Sequence, residues 1–202
     1  MKSIFSNQRS LTAVLALPLI TFLSLSSALR ADILVTEFFS TTSGRILKFD
    51  EENFAESVFA LIPSNPGLSG IVYNPVDQNL YVSALQHGGI YVLNSTNGQI
   101  LAFHLLGYGP AGLGVDSLGS VYVTDFTSNL LRIYDPSDFS SATNTVAIPG
   151  GVTTGVGLLS NGDAVIATAG GGVFRYDGKV VTQFTEHPIA QLASSQVAVD
   201  SS

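Results

Sequence analysis

The sequence has no cysteine, no tryptophan and a single methionine in 202 residues. The lack of cysteine excludes a disulfide-stabilised scaffold, a thiol nucleophile and any metal site built on thiolates. Charged residues are also scarce, because they make up 11% of the chain, against about 25% in an average globular domain. Apolar residues reach 46%, so the composition excludes a disordered chain and indicates a folded protein with a real core.

Positive charge is the scarcer of the two signs. Eight Lys and Arg residues are outnumbered by fifteen Asp and Glu residues, which gives a formal net charge of −7. Nucleic acids and anionic membrane surfaces attract proteins with the opposite balance. We therefore expect no nucleic-acid partner, and a protein, a glycan or a small molecule as the ligand.

The N-terminal segment has the pattern of an export signal. Two basic residues precede an apolar stretch over residues 11–25, and the small residues Ser26 and Ala28 follow it. The stretch is shorter than the ~20 residues of a membrane-spanning helix, although an uncleaved anchor is the alternative. The sequence predicts a signal peptide over residues 1–28 with cleavage after Ala28, or else after Ala31.

Removal of this peptide would change the formal net charge from −7 to −9, since both of its charged residues are basic. No later stretch is apolar enough to span a membrane. A cysteine-free exported chain is typical of a bacterial protein of the periplasm, the cell surface or the extracellular space.

A repeat with a period of about 42 residues organises the rest of the chain. Equivalent segments begin at Gly70, Gly112 and Gly155, which are 42 and 43 residues apart. Each is followed by a turn and by a second run rich in β-branched and aromatic residues, such as residues 80–83 and 121–124. A third run ends in an aromatic or aliphatic residue before Asp or Asn, and a fourth run closes the unit.

Four short strands per unit at this period are the signature of a β-propeller blade. A four-stranded sheet with two apolar faces cannot bury both alone, so neighbouring sheets must stack on it. No stretch shows the i, i+3, i+4, i+7 apolar spacing of a helix, so we expect an all-β fold. The predicted propeller covers residues 29–202, with units at about 33–66, 67–109, 110–152 and 153–188 and a partial unit at 189–202.

About four blades are visible, and two arrangements account for the ends of the array. The first unit starts with its second strand at residues 33–37, whereas residues 196–200 align with a first strand. In one arrangement these two segments pair and close a four-bladed ring, which removes both sheet edges. In the other, which we favour, the chain is a truncated part of a longer propeller.

One unit resembles an NHL repeat. The resemblance is carried by PAGLGVDSLGSVYVTD at residues 110–125 and by NLLRIYD at residues 129–135. The NHL repeat belongs to a superfamily of six-bladed propellers that also holds the gluconolactonase-like enzymes and the streptogramin lyases. The units that begin at Gly70 and Gly155 keep the framework but lack the aspartate after the second strand. The resemblance implies six blades for the longer propeller.

His87 and Asp125 are the candidate ligand-binding residues, because each lies just after a second strand. Loops at strand ends are where a rigid scaffold usually carries recognition residues. A solvated loop histidine is the alternative for His87. The sequence has no nucleophile elbow and no metal-binding histidine spacing, so we predict no catalytic residue.

The resemblance to gluconolactonase-like enzymes implies a second interpretation, with a divalent cation in the central channel. In that interpretation Glu37, Asp125 and Asp200 supply oxygen ligands, which suit Ca²⁺ or Mg²⁺. Asp200, like Asp116, is also explained as a residue that caps the turn between a first and a second strand. The Gly-Pro that follows the first ligand in that enzyme family is missing after Glu37.

Two other recurring features have structural explanations. Gly170-Gly171-Gly172 lies between a second and a third strand, where a tight turn accounts for it. Arg45, Arg132 and Arg175 recur near the start of the third strand in three units, which we attribute to repeat architecture and not to a shared anion site.

The sequence thus predicts an exported β-propeller that acts as a binding or scaffold module, without a cofactor and without catalysis of its own. The alternative is a metal-dependent lactonase-like hydrolase, or a streptogramin-lyase-like enzyme, that uses Ca²⁺ or Mg²⁺ in the central channel. Both rest on fold analogy.

Overall fold

The computed structural model of the chain describes residues 33–38 and 43–185. These residues form fifteen β-strands, and the described part contains no helix, so none there could cross a membrane. The predicted signal peptide and residues 186–202, with Asp200 and the segment 196–200, lie outside it. The strands are β1 Ile33–Thr36, β2 Ser43–Phe49, β3 Glu56–Pro63, β4 Leu68–Asn74, β5 Asn79–Ala84, β6 Gly89–Asn94, β7 Ile100–Leu105, β8 Pro110–Val115, β9 Val121–Asp125, β10 Leu130–Tyr134, β11 Asn144–Ala147, β12 Thr153–Leu158, β13 Ala164–Thr168, β14 Val173–Tyr176 and β15 Val181–Thr185.

The strands form four antiparallel sheets in chain order. Sheet 1 contains β1–β3, sheet 2 β4–β7, sheet 3 β8–β11 and sheet 4 β12–β15, and neighbours in each sheet are consecutive in the chain. Sheets 2, 3 and 4 have four strands each. Sheet 1 has three within the described residues, and it begins at the position of a second strand. This confirms the predicted fold class, an all-β propeller with about four visible blades.

The turns between first and second strands are built by side chains that accept backbone N–H groups. In sheet 3 the Asp116 carboxylate accepts the N–H of Leu118 at 2.9 Å and that of Ser120 at 2.8 Å. Gly119 completes the turn with a φ of 88°, which favours glycine. The prediction that Asp116 caps this turn is confirmed.

Neighbouring sheets stack through their first strands, with β4 against β8 and β8 against β12. At two contacts glycine leaves no room for a side chain. A Cβ on Gly70 would lie 2.6 Å from the carbonyl oxygen of Ala111, and one on Gly112 would lie 2.7 Å from the Cα of Gly155. The repeated glycine of the sequence is therefore a point where the backbones of adjacent sheets touch.

A hydroxyl side chain of the second strand links each sheet to the next. The acceptor in each case is the carbonyl just before the repeated glycine. The hydrogen bonds run from Thr36 to Ser69 (2.6 Å), from Ser83 to Ala111 (2.5 Å) and from Thr124 to Thr154 (3.2 Å). We call Thr36, Ser83 and Thr124 the inter-sheet hydroxyls. They join sheets 1 to 2, 2 to 3 and 3 to 4.

Two of these hydroxyls also accept a hydrogen bond within their own sheet. The N–H of Gly70 donates to Ser83, and the N–H of Gly112 donates to Thr124, each at 2.7 Å. The strand register shifts at both glycines, so these N–H groups leave the regular ladder and need another acceptor. In sheet 4 the register places Ala167, which has no hydroxyl, at the corresponding position.

The core consists of three apolar layers between successive sheets. In β5, Leu80 and Val82 belong to the layer that includes Ile46 of sheet 1, whereas Tyr81 belongs to the layer that includes Val121 of sheet 3. Because both faces of an inner sheet are covered, β5 and β6 are almost continuously buried. Stacking of this kind explains the low charge of the sequence, since few strand positions face solvent.

Candidate functional site

The loops between second and third strands lie at the same end of each sheet. They are residues 85–88, 126–129 and 169–172, and we call them together the loop face. The first N–H of each loop donates to a carbonyl just before the first strand of the same sheet. These bonds are Leu85 to Gly67 (3.0 Å), Phe126 to Gly109 (2.7 Å) and Ala169 to Val152 (2.8 Å). One repeated backbone arrangement thus supports three loops.

The loops of sheets 2 and 3 are neighbours across Gly109. A Cβ on Gly109 would lie 3.2 Å from the side chains of both Leu85 and Thr127. The structure thus brings together the loop that carries His87 and the loop that directly follows Asp125, the two candidate ligand-binding residues.

His87 belongs to an aromatic group on the first of these loops. Its Nδ1 lies 2.9 Å from the hydroxyl of Tyr91, and its ring meets that of Phe103 edge-on at 6.3 Å. Tyr91 and Phe103 lie 4.5 Å apart between ring centroids. Burial raises the pKa of the Tyr91 hydroxyl, which keeps it neutral. His87 is therefore a half-buried residue held against aromatic neighbours.

Asp125 ends β9 and is almost fully buried. Its Oδ1 accepts the backbone N–H of Thr127 at 2.9 Å and the hydroxyl of the same residue at 2.6 Å. Its Oδ2 accepts Nη2 of Arg132 at 3.3 Å. Its own N–H donates to Thr153 of sheet 4 at 3.0 Å. Asp125 therefore shapes the loop that follows it and ties that loop to the next sheet.

Arg132 connects this carboxylate to a pair of tyrosines. The guanidinium lies 4.6 Å from the ring centroid of Tyr108, a cation–π arrangement. The hydroxyls of Tyr108 and Tyr134 are 3.0 Å apart, and burial raises the pKa of both. Two buried atoms of this cluster, the Oγ of Ser128 and the Nε of Arg132, have no hydrogen-bond partner among the described residues. These two atoms could therefore form further hydrogen bonds.

Glu37 directly follows β1, and its carboxylate is paired with an arginine. Arg45 donates from Nε to Oε2 at 2.6 Å and from Nη2 to Oε1 at 2.7 Å. These hydrogen bonds lower the pKa of the Glu37 carboxyl. Arg175 pairs instead with Asp163, whose Oδ2 lies 2.6 Å from the Nε of Arg175. Asp163 lies between β12 and β13, at the end of sheet 4 opposite to the loop face.

The three arginines do not share a repeat position, in contrast to the pattern read from the sequence. Each is the third residue of its strand. In the strand register, however, Thr36 pairs with Ile46, so the neighbouring residues Glu37 and Arg45 lie opposite each other. Arg132 instead lies opposite Val123. The third strands begin at different positions of the register, so the third residue of each strand lies in a different place. Each arginine therefore pairs with a different type of site: Glu37, Asp125 or Asp163.

The predicted cation ligands are only partly described. Glu37 and Asp125 lie in sheets 1 and 3, each in contact with an arginine, and Asp200 lies outside the described residues. Across residues 33–38 and 43–185, no three His, Asp or Glu side chains are grouped so that they could hold a metal ion. The assignment of a channel cation to these residues stays a prediction.

The sequence reading missed the loop between β10 and β11. Phe139, in a stretch of Asp and Ser, is 5% exposed and packs between sheets 2 and 3. It stacks on His104 at 4.7 Å and on Tyr134 at 5.2 Å. In the sequence, the one indication of this packing was a single phenylalanine within a polar loop.

The turn interpretation of Gly170-Gly171-Gly172 is confirmed, because the N–H of Gly171 donates to Thr168 O at 3.0 Å.

No protein-family model and no curated protein matches the chain. Solved structures similar to it are β-propellers. A catalytically inactive virginiamycin B lyase from Staphylococcus aureus, solved with quinupristin, gives a TM-score of 0.59 at 14% identity, over 78% of this chain and 57% of the lyase. A chain of the nidogen/laminin complex gives 0.62 at 16% identity, over 77% and 62%.

The WD40 propeller domain of Doa1 gives a TM-score of 0.57 at 14% identity, over 75% of this chain and 50% of that domain. The chain thus spans less than two thirds of each of these three structures. At such identities the likeness shows the fold alone, and these neighbours include both a lyase and a member of a protein complex.

Proposed function

We propose that the chain is a binding module without catalysis of its own, which takes its ligand on the loop face. The observation that carries this proposal is that three loops of unrelated sequence rest on one repeated backbone arrangement. The loops are Leu-Gln-His-Gly at 85–88, Phe-Thr-Ser-Asn at 126–129 and Ala-Gly-Gly-Gly at 169–172. A rigid scaffold with independently varied loops is the usual arrangement of a recognition surface.

The ionisable groups near this face support binding over chemistry. The carboxylates of Asp125 and Glu37 already accept hydrogen bonds from Arg132 and Arg45. A general base or a metal ligand needs an oxygen that is open to substrate or cation. The Asp125 oxygens are buried and engaged within the fold, and the Glu37 oxygens are already paired with Arg45.

The surroundings of His87 also support the proposal, because they indicate what kind of ligand would bind there. Within the described residues only its Nδ1 has a hydrogen-bond partner, and Phe103 beside it is 40% exposed. An imidazole next to an exposed aromatic ring suits a ligand that offers a polar group beside an apolar face. Sugar rings and peptide side chains have that character.

The test is a binding screen with matched variants. Calorimetric titration of the chain with a panel of oligosaccharides and short peptides is expected to identify a ligand whose affinity falls about tenfold or more in His87→Ala. Thr96→Ala, an exposed substitution at the opposite end of sheet 2, should leave the affinity unchanged. Turnover of any panel member by the purified chain, or a ligand insensitive to His87→Ala, would contradict the proposal.

Export is a separate part of the proposal. The pattern of residues 1–28 supports a cleaved signal peptide and a mature chain outside the cytoplasm. Mass spectrometry of the chain from an expressing bacterium should show an N-terminus at Leu29. An N-terminus that retains these residues in the membrane fraction would instead indicate an anchor.

A further inference from the structure

The outermost strands of the sheets differ in the features that protect a sheet edge from pairing with other strands. β11 has only four residues, and none of them is a large exposed apolar side chain. β3 carries Glu56 and Pro63 at its ends. Shortness, charge and proline are features by which proteins prevent sheet edges from pairing with other strands. β7, with the sequence Ile-Leu-Ala-Phe-His-Leu, has none of them.

β7 also exposes large apolar side chains. Leu101 is 50% exposed, Phe103 40% and Leu105 71%. These side chains alternate along the strand and share one of its faces. With Ile100, which is 37% exposed, this charge-free strand of six residues has four exposed apolar side chains, which is unusual for a solvated edge.

The backbone of β7 has an open edge. Among the described strands β7 pairs with β6 alone. Leu105 is opposite Gly89, and the N–H of Leu106 donates to Gly88 O at 2.8 Å. Hydrogen-bonding direction alternates along an antiparallel strand. The N–H and C=O groups of Phe103 and Leu105 therefore point away from β6.

A pocket of about 310 Å³ opens beside this edge. It is lined by Phe103, His104 and Leu105 of β7 and by residues 137–140 of the sheet 3 loop. The stacked rings of His104 and Phe139 supply aromatic surface. Asp138 supplies a carboxylate, and hydrogen bonds from Ser140 lower its pKa, so it is charged at neutral pH.

We propose that β7 binds an extended segment of a partner protein, which adds to sheet 2 as a further strand and places a Lys or Arg side chain in this pocket. Strand addition satisfies the open backbone groups, and a pocket beside the edge selects alternate side chains. Aromatic surface next to a carboxylate favours a cation. The strongly acidic composition of the chain disfavours a second copy of itself as the occupant.

The probe is a fluorescein-labelled peptide of alternating lysine and valine, compared with one of alternating glutamate and valine. Fluorescence anisotropy should show binding of the lysine peptide and none of the glutamate peptide. Leu105→Lys, which places a charge on the edge, should weaken binding about tenfold or more. Leu118→Lys is the matched control, because Leu118 is 81% exposed on a turn, and it should bind like the wild type.

Asp138→Asn separates the pocket from the edge. It keeps the oxygen that accepts the Ser140 N–H but removes the charge, so it should weaken lysine-peptide binding and reduce its salt dependence. Asn129→Ala, an exposed substitution in the 126–129 loop, should not change this binding, which distinguishes the edge from the loop face. Circular dichroism of each variant verifies that it is folded.

Three results would overturn the proposal. They are failure of the lysine peptide to bind, equal binding of the two peptides, and unchanged binding in Leu105→Lys. Light scattering gives a further decisive result. If the wild type forms dimers that Leu105→Lys abolishes, the edge binds a second copy and the proposed partner is wrong.

Discussion

Two carboxylates at the same repeat position have different surroundings. Glu37 in sheet 1 and Asp125 in sheet 3 each directly follow an inter-sheet hydroxyl, Thr36 or Thr124. Glu37 forms a two-point pair with Arg45, and both side chains remain partly open to solvent, 29% and 40% exposed. Asp125 is almost fully buried and accepts bonds from its own loop as well as from Arg132.

The difference shows that the repeat determines where a side chain is attached in the sheet but not which residues it contacts. An arginine directly across the strand, as Arg45 is from Glu37, forms a surface ion pair. Arg132 lies opposite Val123, two residues before Asp125, and is covered by Tyr108. The carboxylate beside it then becomes part of the packing between sheets.

The largest expected effect is on stability when the buried carboxylate is removed. Asp125→Ala leaves Arg132 and the Thr127 loop without their acceptor, and should cost about 3 kcal/mol of unfolding free energy. Glu37→Ala should cost much less, because a solvent-exposed ion pair contributes little. Urea unfolding followed by circular dichroism measures both. Equal losses in the two variants would remove the distinction between the sites.

A second comparison uses the neighbouring hydroxyls. Thr124→Val leaves the N–H of Gly112 and the carbonyl of Thr154 unpaired in a fully buried place, and should cost about 2 kcal/mol. Thr36→Val removes a single bond at a half-buried residue, so its loss should be smaller. The same urea titration compares them. A larger loss for Thr36→Val would show that sheet 1 is the more tightly coupled of the two.

A smaller effect is expected in the pH dependence of stability. Hydrogen bonds from Arg45 lower the pKa of the Glu37 carboxyl in the folded chain. Its contribution is therefore present above the pKa of the unfolded state and is lost as pH falls through the folded value. The difference in unfolding free energy between wild type and Glu37→Gln should be greatest near neutral pH and vanish in acid. A difference that grows in acid would have the wrong sign.

The smallest expected effect is that of metal removal. If the chain is a binding module, dialysis against EDTA should leave its melting temperature unchanged, and elemental analysis should find no stoichiometric Ca²⁺ or Mg²⁺. Tightly bound metal that is lost in Glu37→Ala or Asp125→Ala would instead support the channel cation and the enzymatic alternative.

The sequence predicts the parts of this fold that recur from unit to unit or that depend on local chemistry. The spacing of Gly70, Gly112 and Gly155 reveals the repeat because the backbones of adjacent sheets allow no side chain at Gly70 and Gly112. Asp116 is predictable as a turn residue because its carboxylate reaches N–H groups two and four residues later. The Asp116 signal comes from short-range geometry that the residue type determines, whereas the glycine signal comes from a backbone contact between sheets that recurs along the array.

Contacts that do not recur from one unit to the next are not predictable in this way. The partners of Arg45 and Arg132 differ by register, which the spacing of the arginines does not reveal. The burial of Phe139 depends on the space between sheets 2 and 3, where His104 and Tyr134 lie. A sequence period carries no information about that space.

The inter-sheet hydroxyls make the junctions of the first three units interchangeable. Thr36, Ser83 and Thr124 all donate forward to the carbonyl before the next repeated glycine. Deletion of one 42-residue period would place the Thr36 donor against Ala111, the acceptor that Ser83 now uses, and duplication of a period would add another matched pair. A gene for such an array can gain or lose one of these three units without leaving this carbonyl unpaired at the junction, whereas sheet 4 offers no such donor because Ala167 stands at that position.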